Sequence, residues 1–169
     1  MSKTPVARFS KGQIRAWLAG HRGMLVAAAL LLLVDRATKV WALEVLAAQG
    51  PIALAKYFWL NYVQNTGSAF GMFQNGNAPL IIVMILIIGY IIYSWRDLAH
   101  YGRLAEWGGV LILAGALGNL YDRLTLGFVV DFLDFRVWPV FNVADSCVTV
   151  GAVLIGLCFL QNRPNQEGA

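Results

Sequence analysis

The sequence predicts a membrane all-α fold: a four-transmembrane-helix bundle with a small extracytoplasmic β-platform. Three observations predict it. The chain of 169 residues is 59% hydrophobic and only 13% charged, against a usual charged share of about 25%, so it has too little polar surface to cover a water-soluble globule. Four long apolar segments divide it. Between them lie two stretches rich in aromatic and β-branched residues. This composition argues against a soluble enzyme, a disordered chain, a disulfide-stapled secreted module and a nucleic-acid binder. The net charge of +4 fits cytoplasmic loops that meet anionic lipid heads.

The apolar segments run from about Met24 to Leu46, Ala78 to Trp95, Leu104 to Tyr121 and Asn142 to Leu160. A hydrocarbon core of about 30 Å takes roughly 20 helical residues, so each is long enough to be a span. The basic N-terminal stretch followed by an apolar run imitates a secretory signal. No small-x-small cleavage site follows it, and the segment reads as an uncleaved anchor. Residues 1–22 are then a basic cytoplasmic extension that meets anionic lipid or stays loosely ordered, 23–161 a single membrane domain, and 162–169 a short tail. Cys147 and Cys158 share one segment, eleven residues or roughly 16 Å apart on a helix, too far for a disulfide. They read as small buried apolar residues.

Orientation follows from the basic residues. Residues 1–22, the segment between spans two and three, and the tail hold eight Lys and Arg; the other side holds Lys56, Arg123 and Arg136. Both termini are therefore expected in the cytoplasm, with residues 47–77 and 122–141 on the outer face. Residues 57–65 (YFWLNYVQN) and 128–138 (FVVDFLDFRVW) are β-prone and aromatic, which suits a sheet at the membrane–water interface. Residues 57–76, with Gly67, Gly71 and Gly76, are expected to form a flap or cradle. Asn-Thr-Gly at 65–67 and Asn-Gly at 75–76 are turn signals.

The candidate chemistry is acidic. Asp122, Asp131, Asp134 and Asp145 cluster around the second outer stretch. Ionisable groups at membrane depth are costly and usually functional. Two carboxylates that meet there repel and are poorly solvated, so one keeps its proton near neutral pH. The ionised member can activate water and the protonated one can polarise a carbonyl, as in aspartic proteases. From the residues alone Asp122, Asp131 and Asp134 are all possible partners for Asp145. Plainer readings stand beside this one. Asn142-Val-Ala-Asp145 has the form of a helix cap. Asp35 and Lys39, at i and i+4, suit a self-neutralising pair. Asp122-Arg123 suits an interfacial ion pair, Asp131 and Asp134 suit solvated surface charges, and Asn65 suits a turn. There is no H-E-x-x-H zinc motif, no G-x-S-x-G and no nucleotide-binding loop. A Ser–Lys pair of Ser68 or Ser146 with Lys39 is a weaker alternative.

Five motifs occur in order: Asp35-Arg-Ala-Thr-Lys39, Asn65-Thr-Gly-Ser-Ala-Phe70, Gly118-Asn-Leu-Tyr-Asp-Arg123, Val129-Val-Asp-Phe132 and Phe141-Asn-Val-Ala-Asp-Ser146. In these the chain closely resembles bacterial lipoprotein signal peptidase, also called signal peptidase II, from about residue 24 to 161. The resemblance implies an aspartic endopeptidase of the bacterial inner membrane. Such an enzyme cleaves the signal peptide from diacylglyceryl-modified prolipoproteins just before the lipidated cysteine. It implies Asp131 and Asp145 as the catalytic pair, and Asn65, Asn119, Arg123 and Asn142 as residues that line or support the site. Asp35, Lys39 and Asp122 take structural or supporting positions. No metal or organic cofactor is implied. The expected partners are the lipid-modified substrate and membrane phospholipid, with no nucleic acid, and the expected state is a monomer. Two other classes compete. A proton-coupled transporter predicts ionisable residues near mid-membrane in several spans. A non-enzymatic scaffold predicts that Asp131 and Asp145 tolerate amides.

Overall fold

A computed structural model describes residues 10–67 and 77–161. A long helix α1 (Lys11–Trp41) runs on through a π-helical turn (Ala42–Leu46) into the last turn α2 (Ala47–Gln49). Strands β1 (Ile52–Ala55) and β2 (Phe58–Asn65) follow. Then come helices α3 (Asn77–Tyr93), α4 (Trp95–His100) and α5 (Arg103–Thr125), strand β3 (Val129–Asp134) and helix α6 (Val143–Gln161).

Among the described residues, three helical stretches are long and apolar enough to cross a membrane: 15–49, 103–125 and 143–161. The expected second span is shorter. Helix α3 has 17 residues, or about 25 Å of rise. It stops where Ser94 leaves the helical path and its hydroxyl donates back to the Tyr90 carbonyl at 2.8 Å. Such back-bonding bends a helix, and the chain resumes as α4. Helix α1 starts earlier than the apolar pattern suggested. Its first turns lie in the basic extension, where His21 stacks on Trp17 and bonds Glu106 of α5 at 3.0 Å. Residues 1–9 and 162–169, the Asn-Gly turn at 75–76, Ser68, Gly71 and Gly76 lie outside the described residues.

Helix α5 is the hub and packs against α1, α3, α4 and α6. Its contact with α6 is built on small residues. A Cβ on Gly151 would fall 2.5 Å from the Gly108 carbonyl oxygen and 2.8 Å from Ile112. Membrane helices gain little from burying apolar side chains away from lipid, so close backbone approach is what holds them together. The outward surfaces stay apolar: Leu30, Leu33, Leu86, Ile92, Val153 and Leu160 are all exposed. That pattern suits lipid and not water. Cys147 and Cys158 are both buried thiols, as expected of small apolar residues.

The two β-prone stretches supply β2 and β3, and Ile52–Ala55, which lies outside both, adds β1 to make one antiparallel sheet of order β1-β2-β3. In the register Val63 faces Asp131 and Asn65 faces Val129. Successive residues alternate faces, so Asn65 and Asp131 share one face as diagonal neighbours. Val130 and Phe132 turn to the other face, against Ala42 and Leu46 of the π-turn. After β3 the chain doubles back, and the Phe141 N–H donates to the Leu133 carbonyl at 3.1 Å. Residue 142 then opens α6, so the strand residue Asp131 and the helix residue Asp145 are brought together by a short return.

Gly151→Ala is expected to lower the melting temperature in detergent by the equivalent of about 1–3 kcal/mol, the usual cost of overpacking. Gly89→Ala in α3, where an added Cβ meets nothing within 4 Å, is the control. It should melt at or slightly above the wild type. Thermal melts of the two variants decide it.

Candidate active site

Asn142 is the N-cap of α6. Its Oδ1 accepts the Asp145 N–H at 2.8 Å, and Asp145 Oδ2 accepts the Asn142 N–H at 3.3 Å. This reciprocal box satisfies two helix-end donors. The plain capping reading of Asn142 and Asp145 therefore holds, and it coexists with a second role. A backbone N–H can only donate, so Asn142 must present Oδ1 to it and keep its amide NH2 free. That NH2 donates to Asp131 Oδ1 at 2.7 Å, and lies 3.1 Å from Asn119 Oδ1 and 3.3 Å from the Val130 carbonyl. One residue thus bonds both carboxylates, through its side chain to Asp131 and through its backbone to Asp145.

Each carboxylate has one further donor. Asn65 Nδ2 donates to Asp131 Oδ2 at 2.8 Å, and its Oδ1 accepts the Gly67 N–H at 2.9 Å. This i→i+2 turn needs the positive φ of Gly67, at 80°. Asn65 is therefore both the turn residue and the carboxylate's partner. Asn119 Nδ2 donates to Asp145 Oδ1 at 2.7 Å.

Asp131 is 1% exposed. Burial raises its pKa to about 6, and the negative charge of Asp145 pushes the same way. The Asn65 and Asn142 amides and the Lys39 ammonium act against that rise. Asp134 behaves differently. Its carboxylate accepts the Arg136 N–H at 2.7 Å, and that bond leads the causes holding it below the usual range. It is also bonded by Asn61 at 3.1 Å and is buried, so it is not the solvated surface charge expected of it. No contact joins Asp134 to Asp145 among the described residues.

Behind the pair lies a buried charge network. Lys39 Nζ lies 2.9 Å from Asp35 Oδ2, 3.1 Å from Asp122 Oδ2 and 2.8 Å from Asn119 Oδ1. The i, i+4 pair of Asp35 and Lys39 is as expected. Asp35 Oδ1 also accepts the Ala144 N–H at 2.9 Å, which fastens the start of α6 to α1. A Cβ on Gly118 would fall 2.6 Å from Asp35 Oδ2, so only glycine admits that carboxylate. The expected Asp122–Arg123 pair does not form. Adjacent helical residues point about 100° apart, and Asp122 instead pairs with Lys39 and with Arg36 at 3.0 Å. Its Oδ2 also accepts the Val130 N–H at 3.2 Å. Arg123 turns to α3. Its guanidinium donates to Asn77 Oδ1 at 3.3 Å, and Asn77 Nδ2 donates to the Arg123 carbonyl at 3.0 Å.

The structure thus brings Asp131, Asp145, Asn65, Asn119 and Asn142 into one bonded cluster, with Asp35, Lys39 and Asp122 directly behind it. Arg36, Asn77 and the Ala144 N–H were missed from sequence. Arg36 stands one residue after Asp35, but nothing in the sequence pairs it with an acid in another helix. No group of three or more His, Cys, Asp and Glu with metal-binding geometry occurs among the described residues. The cluster offers two carboxylates, each steadied by amide donors, with Asp131 raised to about 6. That arrangement can hold a water and pass its proton.

The family model described as "Signal peptidase (SPase) II" matches residues 27–161. The lipoprotein signal peptidase of Pelotomaculum thermopropionicum is 39% identical over 142 residues, covering 82% of this chain and 92% of that protein. That of Clostridioides difficile is 44% identical over 131 residues, covering 75% and 86%. A solved structure described as a bacterial membrane enzyme has TM-score 0.76 at 27% identity, over 87% of this chain and 94% of the other.

Because the folded chain raises the pKa of Asp131 from 3.8 to about 6, protonated Asp131 favours the fold. That contribution is complete below about pH 3.8 and is lost as pH rises through about 6. Wild-type protein should therefore lose thermal stability relative to Asp131→Asn across that window. A difference in melting temperature that stays constant from pH 4 to 7 contradicts the assignment.

Proposed function

The chain belongs to the signal peptidase II family and cleaves signal peptides from prolipoproteins in a membrane; from that premise we propose that it is an aspartic endopeptidase whose catalytic pair is Asp131 and Asp145. The observation that carries the reading is the Asn142 bridge, which bonds one carboxylate by its side chain and the other by its backbone.

In the mechanism a water lies between the two acids and the scissile peptide. The ionised carboxylate takes a proton from water as its oxygen bonds to the carbonyl carbon. The protonated carboxyl donates to the carbonyl oxygen. The tetrahedral intermediate then collapses. The C–N bond breaks as the newly protonated carboxyl gives its proton to the leaving nitrogen and the other carboxylate takes back a proton from a hydroxyl of the intermediate, so the pair regains its single shared proton. The two titrate as a unit. The amides of Asn65, Asn119 and Asn142 hold the carboxyl oxygens in place through these transfers, and Arg123 supports the site by tying α5 to α3 through Asn77.

The substrate is a diacylglyceryl-modified prolipoprotein, cut just before the lipidated cysteine. We assign four spans, with α3 and α4 together making the second, to a single domain of residues 23–161 in the bacterial inner membrane. Both termini are cytoplasmic. The three-stranded sheet lies against the outer leaflet and its phospholipid heads, and the peptidase acts as a monomer. The length and apolarity of the helices, the placing of the basic residues and the position of the acids at one end of α5 and α6 support this orientation.

Asp131→Asn and Asp145→Asn should each lower the cleavage rate by roughly 10³-fold or more while the protein remains folded in detergent. Release of signal peptide from a diacylglyceryl-modified prolipoprotein, followed by gel shift, measures it. Near wild-type cleavage by either variant removes the dyad.

A further inference from the structure

We propose that Lys39 is a positioning residue: its ammonium fixes the polarity of the Asn119 amide, so that Asn119 presents a donor, and never an acceptor, to Asp145. This deepens the dyad reading and rests on it.

A side-chain amide has two ends of nearly equal shape and opposite polarity. Which end faces a carboxylate is set by what holds the other end. At Asn119 two donors hold the oxygen end, the Lys39 ammonium and, less closely, the neutral amide of Asn142 at 3.1 Å; the charged one is the stronger. Lys39 Nζ lies 2.8 Å from Asn119 Oδ1, and Asn119 Nδ2 lies 2.7 Å from Asp145 Oδ1. An ammonium has three donors and no acceptor, so it tolerates only the oxygen end. Its other two donors go to Asp35 and Asp122 at 2.9 and 3.1 Å. All three are committed, and the side chain is fully buried, so it has no freedom to release Asn119.

The surrounding charges keep the ammonium in place. Asp35 on α1 and Asp122 on α5 face it directly, and Arg36 shares Asp122. Asp131 on β3 and Asp145 on α6 face it through the asparagine layer, and the guanidinium of Arg123 on α5 acts on the same two acids. With Lys39 and Arg36 set against Asp35 and Asp122, the layer behind the dyad is neutral, so Lys39 acts on the reaction chiefly through Asn119. Remove the ammonium and only the neutral Asn142 amide still donates to the Asn119 oxygen. The turned amide, with its oxygen toward a protonated Asp145, then becomes accessible, which favours the protonated pair over the ionised one.

The test is the pH profile of prolipoprotein cleavage by detergent-purified full-length protein. Lys39→Met alone would leave Asp35 unpaired in a buried site, so the charge-balanced Asp35→Asn/Lys39→Met is used. Residue 35 then keeps an oxygen for the Ala144 N–H, and Asp122 keeps Arg36. The expected result is a kcat lower by roughly tenfold to a hundredfold, KM within about twofold of the wild type, and an acidic limb moved up by about one pH unit. A merely structural residue would lower activity equally at every pH. The second variant is Asn119→Asp, which keeps and strengthens the contact to Lys39 but offers Asp145 only an acceptor. It should fold and show the same displacement of the acidic limb. A wild-type profile in either folded variant overturns the proposal. In that case inactive Asp131→Asn and Asp145→Asn would still uphold the dyad, whereas active ones would remove the dyad itself.

Discussion

The site depends on the first turn of α6. A helix start has backbone donors with no internal partner, and here they are satisfied by groups of the candidate site. The Asp145 N–H goes to Asn142, the Ala144 N–H goes to Asp35 on α1, and Asp145 closes the box on the Asn142 N–H. Capping therefore fixes the carboxylate of Asp145 against the helix end. The same Asn142 reaches across to β3 and takes hold of Asp131. The atoms that cap the helix are also those that tie the two carboxylates together.

Placing acids at this depth needs compensation, because an unpaired buried charge costs several kcal/mol. The fold supplies it in two layers. Nearest the pair are neutral amides, which steady carboxylates without binding them as permanent ion pairs. One layer back are full charges, Lys39 and Arg36 against Asp35 and Asp122. A cation in direct contact with the dyad would hold both acids ionised and leave none to protonate a carbonyl. Set one amide away, the cation orders the site while burial still holds Asp131 near 6. Glycines at 108, 118 and 151 let α1, α5 and α6 come close enough for this layering.

Much of this was legible in the sequence. Apolar length marks the helices, and YFWLNYVQN and FVVDFLDFRVW mark the strands that pair. The break at Ser94 was not legible, because a single serine in an apolar run does not announce whether its hydroxyl turns back on the helix. The choice among Asp122, Asp131 and Asp134 as partner for Asp145 was open on spacing. Strand register and the return from Leu133 to Phe141, which are tertiary facts, bring Asp131 to Asp145 through Asn142. Neighbours in sequence misled at Asp122-Arg123, whose side chains leave α5 in different directions and find Lys39 and Asn77. The Asn142-x-x-Asp145 pattern admitted a cap or a catalytic acid as rival readings. The fold makes it a cap, and through Asn142 it sets Asp145 beside Asp131.

The central claim is that a buried aspartate pair retains a proton that ordinary carboxylates have lost. Isotope-edited infrared titration of protein labelled with carbon-13 at aspartate carboxyls measures this directly. The account predicts one protonated carboxyl stretch that persists above the ordinary aspartate range, disappears near pH 6, and is missing from Asp131→Asn. If every aspartate has ionised by about pH 4.5, the usual range for exposed carboxylates, the pair holds no shared proton and the account is contradicted.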